Sequence, residues 1–98
     1  MQVAAQILEQ LGGNRFAAMT GAKQFVGGER SLQFSLGRGA TNKANKVRVT
    51  LATDDTYTVE FFNLRGVNLK PCGEPVERVY ADRLQTVFTE ATGLDTHL

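Results

Sequence analysis

Three segments in the middle of this chain alternate apolar and polar residues with a period of two, which restricts the fold more than any other feature. In residues 31–36, Leu32, Phe34 and Leu36 fall on one side and Ser31, Gln33 and Ser35 on the other. In residues 46–51, Val47, Val49 and Leu51 oppose Lys46, Arg48 and Thr50. In residues 56–64, Tyr57, Val59 and Phe61 oppose Thr58, Glu60 and Phe62. Successive side chains of a strand point to opposite faces, so each segment predicts a half-buried strand. Their regular spacing predicts an antiparallel meander. Asp54-Asp55 marks the turn before the third strand, and Gly27-Gly28 a turn before the first.

A sheet with one apolar face needs a cover. Residues 2–11 predict a helix, with Val3, Ala4, Ile7, Leu8 and Leu11 in one stripe and Gly12-Gly13 as its stop. A second helix is predicted from Pro75 or Val76 to about Thr92, with Val76, Val79, Tyr80, Leu84, Val87, Phe88 and Ala91 as its stripe and Gly93 ending it. Residues 15–20 admit a short helix, favoured by Ala and Met, or a strand with Phe16 and Ala18 on one face. Their shortness and the following Gly21 favour the strand, which residues 23–26 continue or leave as an irregular link. Residues 37–45 and 65–75 carry Gly, Asn and Pro without periodicity and are taken as loops. The expectation is one α+β domain over residues 1–98: an antiparallel sheet of three to four strands with two helices packed on one face, in the order α-β-β-β-β-α.

Ninety-eight residues, 42% hydrophobic and 21% charged, make an ordinary globular domain with room for one modest core. Dimerisation would hide an exposed sheet face or edge. Cys72 is the only cysteine, so no intramolecular disulfide and no thiolate zinc site can be built. No apolar run reaches the length of a membrane span, and the opening residues lack the basic and apolar regions of a secretory signal. A cytoplasmic chain without membrane contact is expected.

Catalytic chemistry finds little support. His97, the only histidine, sits beside the C-terminus, where chains fray. Cys72, between Pro71 and Gly73, has only Lys70 nearby as an activating cation, and an unreactive loop cysteine is the plainer account. Asp54-Asp55 fits a turn better than a hard-cation site, which needs more oxygen ligands. Glu74, Glu77 and Asp82 would lie in the first turns of the second helix and complement its dipole. Gly37-Arg38-Gly39 lacks the glycine pattern and following helix of a phosphate loop. Neither an enzyme nor a cofactor is expected.

Charge gives the best functional clue. Between Arg30 and Thr53 the chain carries Arg30, Arg38, Lys43, Lys46 and Arg48 and no Asp or Glu. The net charge of +1 hides this asymmetry, since residues 71–98 carry two bases and five acids. Alternation puts Lys46 and Arg48 on the outward face, with Arg38 and Lys43 on the preceding loop and Phe62 on the neighbouring strand. Cations beside an aromatic on an open sheet can hold phosphates while the ring stacks a base. Basic residues also serve simply to keep sheet edges soluble, and Glu60 on the same face opposes a polyanion. Phe62 equally suits a protein–protein anchor.

The stretches ILEQLGGNRFAAMTGAKQFV and YADRLQTVFTEATGLDTHL, with the MTGAK and TYTVEFF segments, resemble a group of small, mostly uncharacterised proteins of bacterial phages and mobile elements. The resemblance spans nearly the whole chain and brings no catalytic residue with it. It implies an accessory role, and many such proteins look like non-catalytic binders of host or phage macromolecules, inhibitors of host defence among them. From the basic residues themselves the expectation is nucleic-acid binding through Arg38, Lys43, Lys46, Arg48 and Phe62, with docking on a host defence complex through the same open face as the alternative.

Overall fold

The alternating segments become the centre of a six-stranded antiparallel sheet. The computed structural model describes residues 3–37 and 43–94. Its elements are helices α1 (Val3–Leu11) and α2 (Gly13–Thr20), strands β1 (Lys23–Gly27), β2 (Ser31–Ser35), β3 (Lys46–Leu51), β4 (Tyr57–Arg65), β5 (Asn68–Pro71) and β6 (Val76–Val79), a 3₁₀ turn (Ala81–Arg83) and α3 (Leu84–Thr92). The strand order is β1-β2-β3-β4-β5, and β6 also pairs with β4. Residues 37 and 45 flank the loop whose centre falls outside the description.

One sheet face is dry. Leu32, Phe34, Val47, Val49, Tyr57, Val59 and Phe61 are buried in a single cluster with Ile7 and Leu11 of α1, Phe16 of α2, and Leu84 and Phe88 of α3. The intervening residues Gln33, Ser35, Arg48, Thr50, Thr58, Glu60 and Phe62 stay partly exposed. The two-layer α+β arrangement and the inward and outward sets therefore follow the alternation. No helix among the described residues is long and apolar enough to cross a membrane.

Residues 15–20 are helix rather than strand. Gly12 and Gly13, at φ +125° and +61°, turn the chain between α1 and α2. Gly21 closes α2 in the left-handed conformation, its N–H donating to the Ala17 carbonyl. Phe16 and Thr20, one helical turn apart, are both buried, while Ala18 is exposed. Phe16 meets Phe34 edge-to-face at 5.4 Å and Phe88 at 5.1 Å between ring centroids. This aromatic contact between the layers fixes α2 as helix where local propensity left the choice open.

The sheet is also larger than the expected three to four strands. The first strand is β1 at residues 23–27, where an irregular continuation was one of the options. Residues 65–75 hold β5 instead of a plain loop, and residues 76–79 are β6 instead of the start of the last helix. Val76 and Val79 lie three apart, a helical spacing that a bulged strand reproduces. Tyr57 faces Val79 and Val59 faces Val76, so β6 carries one residue more than β4 over the same length. Arg78 absorbs the extra residue at φ +58°. The same device recurs in β1, where Lys23 faces Ser35, Val26 faces Gln33, and Gln24 sits at φ +57°. Bulged, interrupted edges discourage pairing with another sheet. Tyr80, assigned to the helical stripe, is 65% exposed, and α3 begins only at Leu84. Of Glu74, Glu77 and Asp82, only Asp82 lies in the turn that leads into α3.

Asp54 builds the turn between β3 and β4. Its Oδ1 accepts from the Thr56 hydroxyl at 2.6 Å and the Thr56 N–H at 3.2 Å. These bonds, the hydroxyl's foremost, hold the carboxyl below the ordinary carboxylate range. Stability from a depressed carboxylate is fully present above about pH 4 and fades as pH falls through the lowered value. Asp54→Ala is therefore expected to lower the urea midpoint at neutral pH and to narrow its gap to the parent in acid. Equal gaps at both pH values would contradict this account.

Candidate nucleic-acid interface

Two arginines of the acid-free stretch are already engaged within the fold. Arg30 turns back onto the sheet, its Nε and Nη2 donating to the Leu51 and Ala52 carbonyls at 3.1 Å each. Arg48 pairs with Glu60, directly opposite it on β4, at 2.9 Å. Its guanidinium also lies 5.4 Å from the centre of the Phe62 ring. Glu60 thus offsets the charge of Arg48, and Phe62 already carries a cation on its face. Lys46 stands on the same open face, between Ser35 and Phe62. Arg38 and His97 lie outside the described residues.

Lys43 belongs to a different surface. Lys43, Asn63, Arg65, Asn68, Lys70 and Cys72 line a cleft of about 430 Å³. Among the described residues its lining holds three cations and no carboxylate. Arg65 and Lys70 come from the β4–β5 hairpin, which replaces the loop expected over residues 65–75. Gly66 opens its two-residue turn at φ +60°, and Val67 is not among the positive-φ residues, the pattern of a type II′ turn.

Strand register divides this hairpin into two faces. Asn63 lies opposite Lys70 and Arg65 opposite Asn68, so these four share one face. Phe62 lies opposite Pro71 and Leu64 opposite Leu69, giving an apolar second face. Val67 at the tip is 96% exposed. Cys72 continues the polar face, half-buried, with its N–H donating to the Phe61 carbonyl at 2.8 Å.

Two asparagines brace the base of the hairpin. The last β3 residue in register is Lys46, opposite Phe62. Beyond it, the Asn45 side chain takes the place of a strand: Nδ2 donates to the Leu64 carbonyl at 2.9 Å and Oδ1 accepts the Leu64 N–H at 2.7 Å. Asn63 Nδ2 donates to the Lys43 carbonyl at 2.8 Å, tying the loop to the hairpin. Removing both Asn45 bonds leaves Leu64 backbone groups unpaired at a partly buried position, a loss of about 1–3 kcal/mol. Asn45→Ala is expected to speed amide exchange at Leu64 and across the hairpin while exchange in β2 changes little. Uniform destabilisation would show instead that the brace is no local device.

Clustered cations without a carboxylate attract anions, and amides beside them add directional donors and acceptors. No family model, curated protein or solved structure matches this chain. Of the five residues singled out in the sequence, Lys43 joins the cleft, while Lys46, Arg48 and Phe62 share the open face. The cleft residues that sequence reasoning missed are Asn63, Arg65, Asn68 and Lys70. The signal for them was present: Gly66 at the first position of a two-residue turn predicts a hairpin, and alternation then puts all four on one side.

Proposed function

We propose that this chain is a non-catalytic binding protein that holds nucleic acid by its phosphates at the cleft of Lys43, Arg65 and Lys70. The observation that carries this reading is the set of three cations, with no carboxylate among the described residues, that lines that cleft. Lys46, at the start of β3, adds a further cation toward the open face. The resemblance of both chain ends to small phage and mobile-element proteins makes an accessory role the matching context. Fluorescence anisotropy with short single- and double-stranded DNA and RNA, over a range of salt, tests it. Binding that weakens steeply with salt is expected, because each neutralised phosphate releases counterions. Absence of binding at low salt would reject it.

A second reading has its own support. Leu69 is 49% exposed, and the partly exposed Phe62 and Leu64 lie beside it on the same outward side. This apolar strip suits docking on a protein, such as a host defence complex. If so, Phe62→Glu abolishes co-purification of the partner from nuclease-treated lysate while nucleic-acid affinity stays within about two-fold, since burying an unpaired charge at an interface is costly. Retention of the partner by Phe62→Glu would remove this reading.

A further inference from the structure

We infer that the β4–β5 hairpin is a two-stranded ribbon that enters the major groove of duplex DNA and distinguishes its base sequence. This deepens, and rests on, the nucleic-acid reading above.

The first argument is shape. Register with β3 ends at Phe62, and beyond it the described residues 43–45 touch the hairpin only at Asn63 and Leu64, so its tip from Arg65 to Asn68 and its β5 side stand clear of them. The three residues from Phe62 to Arg65 span about 10 Å at roughly 3.3 Å per residue. The major groove is about 8.5 Å deep and about 12 Å wide, and it admits a two-stranded ribbon. The minor groove, about 6 Å wide, does not admit one without deformation. The major groove of an RNA duplex is deep and too narrow for side-chain readout, so DNA is the partner that fits. None of the described residues that line the cleft is helical.

The second argument is chemistry. Two cross-strand pairs, Asn63 with Lys70 and Arg65 with Asn68, set amides and cations side by side. Arg and Lys donate to guanine O6 and N7, and Asn pairs with adenine N6 and N7. These are the side chains best suited to base edges in that groove. Among the described residues, neither Arg65 nor Lys70 has an ion-pair partner, so both cations are available. Asn63 spends one amide hydrogen on Lys43. Lys43 then stands at the rim of the cleft, where a phosphate of the groove wall would lie. The brace by Asn45 holds the ribbon in shape before binding, which reduces the ordering cost.

The test is selection from a randomised duplex DNA library, followed by affinity measurements on the enriched and the unselected duplexes. The parent is expected to enrich a short motif. Asn68→Ala should lose about ten-fold or more for the enriched duplex and little for the unselected one, because a base contact specifies whereas phosphate contacts position. Salt-sensitive binding without an enriched motif would overturn this inference and leave the phosphate-binding reading standing. Preference for single strands over duplexes would do the same. If Asn68→Ala weakens both duplexes equally, base recognition at that position is also rejected. Absence of all nucleic-acid binding would remove both readings.

Discussion

Replacing Phe16 with alanine is expected to cost about 3–5 kcal/mol, the range for removing a fully buried aromatic side chain. Phe16 is fully buried and contacts rings from two other elements, Phe34 of β2 and Phe88 of α3. Phe88 in turn lies 6.4 Å from Phe61 on β4, so one residue of a short helix joins both layers of the core. Few atoms could collapse into the gap, because α2 is held at each end by glycines in special conformations. A domain of this size is typically stable by about 5–15 kcal/mol, so the variant should be close to unfolding at room temperature. Urea denaturation followed by circular dichroism measures this. Phe16→Leu separates the contribution of volume from that of ring geometry and should retain most of the stability. A loss below about 1 kcal/mol for Phe16→Ala would mean that α2 is peripheral to the fold.

Charge reversal at the cleft is expected to have the largest effect on binding. On duplexes of unselected sequence, where Lys43, Arg65 and Lys70 each neutralise one phosphate, log affinity should fall against log salt with a slope of about −3. Lys43→Glu combined with Lys70→Glu replaces two attractions with repulsions and should abolish detectable binding at moderate salt. The neutral pair Lys43→Gln and Lys70→Gln should bind weakly at low salt, with a slope shallower by roughly 2. Both side chains are exposed, so the unfolding free energy from urea denaturation should change by no more than about 0.5 kcal/mol. Arg48→Gln is the informative control. Arg48 is paired with Glu60 on the open face, so its loss should alter affinity far less than loss of Lys43. If Arg48→Gln were the more damaging change, the open sheet face would be the binding surface.

The contrast between these residues separates charge along the chain from charge in space. A run of the chain without acids need not be a patch without acids, since carboxylates arrive from other strands. Glu60 reaches Arg48 across one strand pairing, and Arg30 is used up on carbonyls of the β3–β4 turn. Conversely, Arg65 and Lys70 gain their significance only when the hairpin lays them beside Lys43. The Asp54-Asp55 pair was easier to interpret, because its hydrogen bonds to Thr56 are local.

By itself, the sequence determined the centre of the molecule. Period-two alternation dictated which faces of β2, β3 and β4 are buried, because a strand has only two faces and water selects between them. The α1 stripe and the glycine stops were equally local. Tertiary structure decided the identities of residues 15–20 and 76–79. Phe16 is helical because only that geometry buries it between Phe34 and Phe88. Val76 and Val79 keep a three-residue spacing in a strand because Arg78 takes a left-handed conformation opposite β4. The cleft, too, depends on pairing between distant segments, whose gain in burial and hydrogen bonding outweighs what either segment prefers alone.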